Sequence, residues 1–375
     1  MNRFVQHYRK ELGLCRQRFE TLDLAKEKGY LFKFTTFSAN MSNILPEIPA
    51  DKHEGLFREL LLQQVYTTFD QQFITANEFV KTEGPFRKLV NSKGANIYCT
   101  FHLGSYRLLT TFLFRSGIDC ALMVGTRVFN EQSEAILENI DQIRQKHGLT
   151  NKFMIVDAEN TSSTLQVLRE LRAGTSLIIY IDGMTTTTGI NRQEDKEIRV
   201  RLGNRKVWTR KGVAFLSHMA KVPIVPVFSY REKDLNNVLA FQQPIVPDDH
   251  PQRDAYCQYG IQRLYDDFWR YLTRYPSQWE GWTYIHSFLD AQDLETPAPT
   301  RKVARPRKRI AFNQDRYALC DLEDAPVLFD RRLYLTYEIS PDLRDFLLQV
   351  NTIESPADVL GEELFQDLLS KQIIA

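Results

Sequence analysis

Between about residues 95 and 290, short apolar runs alternate with stretches whose apolar residues recur every three to four positions. IYCTF (97–101), ALMV (121–124), FMIV (153–156), LIIYI (177–181), IVPVF (224–228) and VLAF (238–241) have the length and composition of strands. Between them Leu108, Leu109, Phe112 and Leu113 share one helical face, as do Ile136, Ile140 and Ile143, and then Leu165, Leu168 and Leu171. Strands alternating with amphipathic helices predict an α/β fold, a mostly parallel sheet flanked by helices.

Residues 1–94 carry Leu56, Leu60, Leu61 and Val65 at helical spacing and are expected to form a helical cap on the sheet, so that one domain runs from 1 to 290. Residues 291–311 hold Pro297, Pro299 and Pro306, no helical face, and the basic residues Arg301, Lys302, Arg305, Arg307, Lys308 and Arg309. They read as a linker, either merely solvated or attracted to an anionic surface such as phospholipid or an acidic carrier protein. Residues 312–375 form a compact block: a hairpin-like strand pair in VLFDRRLYLTYEI, then a helix capped by Ser340 and opened by Pro341, with Leu343, Phe346, Leu347 and Val350 on one stripe. Ser355 with Asp358 suggests a capping box for a second helix, and EELFQDLLSKQII supplies a third, giving a small winged-helix-like domain.

Bulk properties exclude several classes. Lys+Arg 48 against Asp+Glu 47 leaves a net charge of +1, so nothing global points to nucleic acid. Cys15, Cys99, Cys120, Cys257 and Cys320 are scattered and never form a CxxC pair, which argues against a disulfide framework or a zinc site. The N-terminus lacks the apolar run of a signal peptide or membrane span, so a cytoplasmic location is expected, at most peripheral to the inner face of the membrane. There is no GxxxxGK[ST], GxSxG or HExxH motif, and neither a metal nor a redox cofactor is called for.

The informative segment is IYCTFHLGSYRLLTTFLF, where a strand ends, His102 follows, and a helix begins at once. Ligands gather beyond the carboxyl ends of strands in open α/β sheets, which places His102 where a general base would stand. Asp182, in IDGM, ends another strand and is the first candidate for a partner; a turn-capping role is the alternative. Ser105 and Tyr106 are placed to donate into the same crevice. TTTTG (185–189) and the residues after it read as a mobile flap, in which Arg199, Arg201 and Arg205 are candidates to hold a phosphate, with solvated strand-edge charges as the alternative. His218 and His286 read as supporting residues, and Trp279 and Trp282 as core or pocket wall.

HLGSYR (102–107) resembles the HLGNWD/E-type motif of the lysophospholipid acyltransferase superfamily, in particular its lipid A late acyltransferase-like branch. RELRAGTSLIIYIDGM (169–184), RVRLGNRKVWTRKGVAFLSHMAKVPIVPVFSYR (199–231) and YPSQWEGWTYIHSF (275–288) resemble later segments of that family, in the same order along about 190 residues. The resemblance implies transfer of an acyl group from a coenzyme A or acyl carrier protein thioester to an acceptor, with His102 as base and backbone amides near the motif as oxyanion donors. It also implies Gly104, Ser105, Tyr106 and Arg107 at the substrate and His286 on a closing strand.

Position 107 departs from the pattern: the family has Asp or Glu there, and a cation cannot accept the imidazole N–H and would depress its basicity. Three outcomes follow. Another acid, Asp182 first, replaces the missing partner; the acceptor is an amine that needs less help; or the domain has lost catalysis and binds an acyl chain or peptide for a partner enzyme. The related late acyltransferases begin with a membrane-anchoring helix, absent here, so a lipid acceptor is less strongly indicated than for them. The tail, 312–375, is similar to PqqD-like recognition domains, which implies a peptide or protein substrate that adds as a strand to a sheet edge.

Overall fold

The structure, a computed structural model, describes residues 3–20, 28–72, 78–91, 94–183, 196–247, 252–290, 293, 310–322 and 325–375. The TTTTG stretch and residues 294–309 of the basic linker lie outside the described residues. The chain divides into two compact units, Met1–Leu22 with Arg58–Gly281, and Asp23–Phe57 with Trp282–Ala375.

In chain order the elements up to the sheet's first strands are α1 (Arg3–Glu20), α2 (Lys28–Ile44), α3 (His53–Gln72), β1 (Lys81–Glu83), α4 (Phe86–Asn91), β2 (Ile97–Thr100), α5 (Leu108–Arg115) and β3 (Cys120–Val124). There follow α6 (Thr126–His147), β4 (Phe153–Asp157), α7 (Ser163–Arg172), β5 (Ser176–Tyr180), β6 (Glu197–Leu202), β7 (Arg205–Arg210), α8 (Gly212–Ala220), β8 (Ile224–Arg231), β9 (Asn237–Phe241) and α9 (Arg253–Arg274). Seven strands form one sheet in the order β1-β9-β8-β2-β5-β3-β4. Every neighbouring pair is parallel except β8 with β9.

The first unit thus has the expected α/β architecture, and the six apolar runs are its strands. Their lack of alternation has a physical cause, because β2, β8 and β9 are buried at every residue, with helices on both faces. On one face Tyr98, Leu122, Ile178, Val225 and Phe241 pack with Leu109 and Leu113 of α5. On the other, Phe101 stacks on Phe268 of α9 with ring centroids 4.0 Å apart, and Phe228 stacks on Tyr271 at 4.7 Å. Each such side chain taken from water contributes about 1.5–3 kcal/mol.

Three expectations need correction here. Leu165 is 62% exposed; the buried face of α7 is Val167, Leu168 and Leu171. β1 escaped the sequence reading because Lys81, Thr82 and Glu83 are polar and exposed, and it is held at the sheet edge by pairing with β9. Residues 197–210, read as part of a flap, form the antiparallel ribbon β6–β7 packed on α9, with Val200, Leu202 and Val207 buried.

The second unit contains the antiparallel sheet β10 (Tyr317–Leu322), β11 (Ala325–Asp330) and β12 (Leu335–Glu338), followed by α10 (Pro341–Gln349), α11 (Pro356–Leu360) and α12 (Glu362–Ser370). It has three strands where two were expected. Phe346, Leu347, Val350, Phe365, Leu368 and Ile374 form its core with Tyr317 and Leu328. Ser340 caps α10, its Oγ accepting from Leu343 N at 3.2 Å. Ser355 does not cap α11 with its side chain; the Asp358 N–H goes to the Ser355 carbonyl at 3.1 Å instead, so no capping box forms. His286 lies in a short 3₁₀ turn, Ile285–Phe288, rather than on a strand.

Candidate functional site

β2 and β5 are adjacent parallel strands whose register pairs Ile97 with Leu177 and Thr100 with Tyr180. Running both chains two residues further brings His102 opposite Asp182 at the carboxyl edge of the sheet. Residues two apart on a strand share a face, so both side chains leave the sheet on the side of Thr100 and Tyr180. His102 Nδ1 donates to Asp182 Oδ1 at 2.8 Å, and the His102 backbone N–H lies 3.1 Å from both carboxylate oxygens.

A third donor completes the carboxylate's surroundings. Trp279 is 1% exposed, and its Nε1–H, which must find an acceptor once buried, donates to Asp182 Oδ2 at 2.6 Å. The Asp182 side chain is only 5% exposed, whereas the His102 side chain is 20% exposed. With Nδ1–H given to Asp182, a neutral ring carries its lone pair on Nε2. Burial works to lower the His102 pKa, but the Asp182 charge and hydrogen bond outweigh it and hold the pKa above the ordinary imidazole value. Arg107 does lower it, as the sequence suggests, but more weakly than burial, Asp182 or Glu280 acts.

The loop after His102 is fixed from beneath. Gly104 has φ +56, and a Cβ there would sit 2.7 Å from the Ser229 carbonyl oxygen and 2.8 Å from Tyr230 Cα, so only glycine fits this approach to β8. Ser105 is fully buried. Its hydroxyl donates to Asp70 of α3 and accepts from Arg231 Nη2 at 2.8 Å. Asp70 also binds Arg231 itself, Tyr8 of α1 and Asn237 of β9. Ser105 and Gly104, expected at the substrate, therefore anchor the turn that carries His102.

Tyr106 turns back toward the imidazole, and Arg107 packs on Tyr106. The Tyr106 ring stands edge-on to His102, 4.6 Å between centroids, and the Tyr180 ring lies 5.2 Å from it. Tyr106 Oη donates to Glu280 Oε2 at 3.4 Å and accepts from Arg107 Nε at 3.2 Å. The Arg107 guanidinium lies over the Tyr106 ring and reaches Gln71 Oε1 at 2.6 Å and Gln132 Oε1 at 3.5 Å. Burial raises the pKa of Glu280, the positive charges of His102 and Arg107 only partly offsetting it.

Two further expectations are corrected. The amides of His102, Leu103 and Gly104 are already given to Asp182, Phe101 O (2.7 Å) and Gln278 O (2.9 Å), so they are not oxyanion donors as they stand. Arg199, Arg201 and Arg205 do not converge: Arg199 and Arg201 occupy the exposed face of the ribbon, with Arg199 over Trp208, while Arg205 is 3% exposed on the opposite face. Sequence reasoning missed Glu280 and the part played by Trp279. The buried indole's need for an acceptor was a signal for Trp279; nothing in the sequence distinguished Glu280.

No protein-family model matches the chain, and no curated protein sequence matches it. Among solved structures, 66% of this chain is similar to 96% of the crystal structure of the 1-acyl-sn-glycerophosphate (LPA) acyltransferase PlsC from Thermotoga maritima, with 10% sequence identity and a TM-score of 0.30. Among the described residues, no helix is long and apolar enough to cross a membrane.

Proposed function

We propose that the chain is an acyltransferase that moves an acyl group from a coenzyme A or acyl carrier protein thioester to a hydroxyl or amine acceptor. The observation that carries this reading is the His102–Asp182 pair, with Nδ1 held at 2.8 Å so that the lone pair of the neutral ring lies on Nε2. A base of this kind takes the acceptor's proton on Nε2 as the acceptor oxygen or nitrogen attacks the thioester carbonyl. Asp182 fixes the tautomer and stabilises the imidazolium that forms. Collapse of the tetrahedral intermediate breaks the C–S bond, and the imidazolium returns the proton to the departing thiolate.

The HLGSYR resemblance supports this reaction class, and Asp182 supplies the acid that position 107 lacks. We further propose that residues 312–375 recognise a peptide or protein substrate. In support, β12 ends its sheet and all four of its residues are exposed, as an edge that accepts an added strand requires. A cytoplasmic setting, with contact to the membrane's inner face, is part of the same proposal.

The test is thioester consumption from octanoyl-coenzyme A and octanoyl-acyl carrier protein in the presence of cell extract, wild type beside His102→Ala, with the product followed by label. Consumption and transfer confined to the wild type support the enzyme. Equal rates in both proteins refute the role of His102, and tight retention of the donor without turnover in either favours a binding protein.

A further inference from the structure

Among the described residues Arg107 touches no carboxylate. Among the described residues its half-buried guanidinium bonds only neutral oxygens, those of Tyr106, Gln71 and Gln132, and Nη2 has no acceptor. The Glu280 charge acts on it across space, the two side chains sharing the Tyr106 hydroxyl without an ion pair among the described residues. Withdrawing a cation from water without a counter-ion is costly, and the usual remedy is a paired anion. The guanidinium is also held in place, since Tyr106 and Gln71 fix two of its three nitrogens, and its ring contact is shared: His102 and Arg107 lie 4.6 and 5.6 Å from the centre of the Tyr106 ring.

From this we infer that Arg107 is the anchor for a carboxylate on the acyl acceptor, so that the acceptor is an amine or alcohol that also bears a carboxylic acid, as an amino acid does. The inference rests on the acyl-transfer reading, for which it names the acceptor class. One nitrogen with open N–H bonds suits a carboxylate oxygen; a phosphate dianion would keep most of its oxygens unpaired at this position. Gln71 of α3 and Gln132 of α6 set where that nitrogen points. Arg107 is thus a specificity residue beside the base, and it takes no proton in the reaction.

Binding to the full chain separates this inference from the reading beneath it, because it needs no turnover. The probes are N-octanoylglycine and N-octanoylglycinamide, which differ in charge alone, titrated calorimetrically into wild type, Arg107→Gln and Arg107→Lys, each checked for an unchanged melting temperature. Wild type is expected to prefer the acid by about tenfold or more, the Gln variant to bind both alike, and the Lys variant to keep part of the preference. Equal binding of the two probes by wild type, binding of neither, or a preference undiminished in Arg107→Gln overturns the inference. Should the preference hold while His102→Ala consumes thioester as fast as wild type, the carboxylate site stands and the catalytic reading fails.

Discussion

Exchanging Asp182 for Asn keeps the shape of the side chain and removes its charge, and so isolates what the carboxylate does for His102. Three N–H groups converge on it: His102 Nδ1 at 2.8 Å, the His102 amide at 3.1 Å and Trp279 Nε1 at 2.6 Å. An amide offers one oxygen. If that oxygen keeps the indole, the NH2 faces Nδ1 and drives the ring to the tautomer protonated on Nε2, the wrong atom for a base. The same exchange in a Ser-His-Asp triad lowers turnover about 10⁴-fold. Here kcat/KM for octanoyl thioester consumption should fall by about 10²–10⁴, roughly 3–5 kcal/mol of transition-state stabilisation. The pH profile gives a second, independent reading. Activity needs neutral His102, so the wild-type rate rises with pH through a midpoint above the ordinary imidazole value, where Asp182 holds it. Without the carboxylate, burial prevails and the midpoint moves down. The stability linkage has the matching sign: a raised folded pKa contributes stability fully present below the unfolded value and lost as pH rises through the folded one. A loss smaller than about tenfold, or an unmoved midpoint, would refute the assigned role.

Gly104→Ala, which forces a Cβ against the Ser229 carbonyl at positive φ, should cost about 2–4 kcal/mol in urea unfolding and lower activity through the misplaced turn. Arg231→Met leaves Asp70 as an unpaired charge among fully buried neighbours and should cost about 3–5 kcal/mol, again by urea unfolding. His53 is buried against Ser38 and the Ile48 carbonyl, and burial lowers its pKa to about 4. As pH falls below the ordinary imidazole value the unfolded chain takes up a proton that the native state refuses, so about 3 kcal/mol should be lost by pH 4, and His53→Gln should lack this share of the pH dependence in urea titrations. The double variant Asp182→Asn/Arg107→Asp should be no more active than Asp182→Asn, because position 107 projects toward Gln71 and Gln132 and not toward Nδ1; recovery of activity in thioester assays would show that an acid on α5 can still serve.

The strands were legible because burial on both faces writes itself as unbroken apolar runs, and His102 and Asp182 were legible as strand ends. Asp182 could be named as the first candidate partner from its strand end, but the register that sets it against Nδ1 could not be read, since it depends on β5 returning beside β2 after three crossovers and neighbouring strands separated by 80 residues leave no local signal. β1 was invisible for the opposite reason, three polar residues held by backbone pairing alone. Ser105 misled because a hydroxyl in a helix's first turn reads as available, and only the fold reveals Asp70 and Arg231 beneath it. The ribbon β6–β7 was mistaken for a flap because its alternation is masked by Arg199, Arg201 and Lys206 on one face, although Val200, Leu202 and Val207 alternate correctly on the other.

Arg at position 107 is at odds with base catalysis only if the acid must come from the helix that follows the histidine. A residue two positions past the end of the adjacent parallel strand reaches the imidazole Nδ1, from the carboxyl edge of the sheet rather than from a helix terminus. Once Asp182 holds Nδ1, position 107 is released from accepting the hydrogen bond of the imidazole N–H. A cation can then stand there, because its downward pull on His102 is smaller than the opposing pull of the carboxylate. Trp279 makes the arrangement durable, fixing the second carboxylate oxygen so that the first stays aligned with the ring. The Asp182 carboxylate, the imidazole, Tyr106 with its hydroxyl shared with Glu280, and the guanidinium follow one another through successive contacts. Arg107 stands at one end of that series of contacts and the Asp182 carboxylate at the other. An acceptor oriented by such a series would carry its negative group at the guanidinium and its nucleophile toward Nε2, which is the orientation that base catalysis by His102 requires.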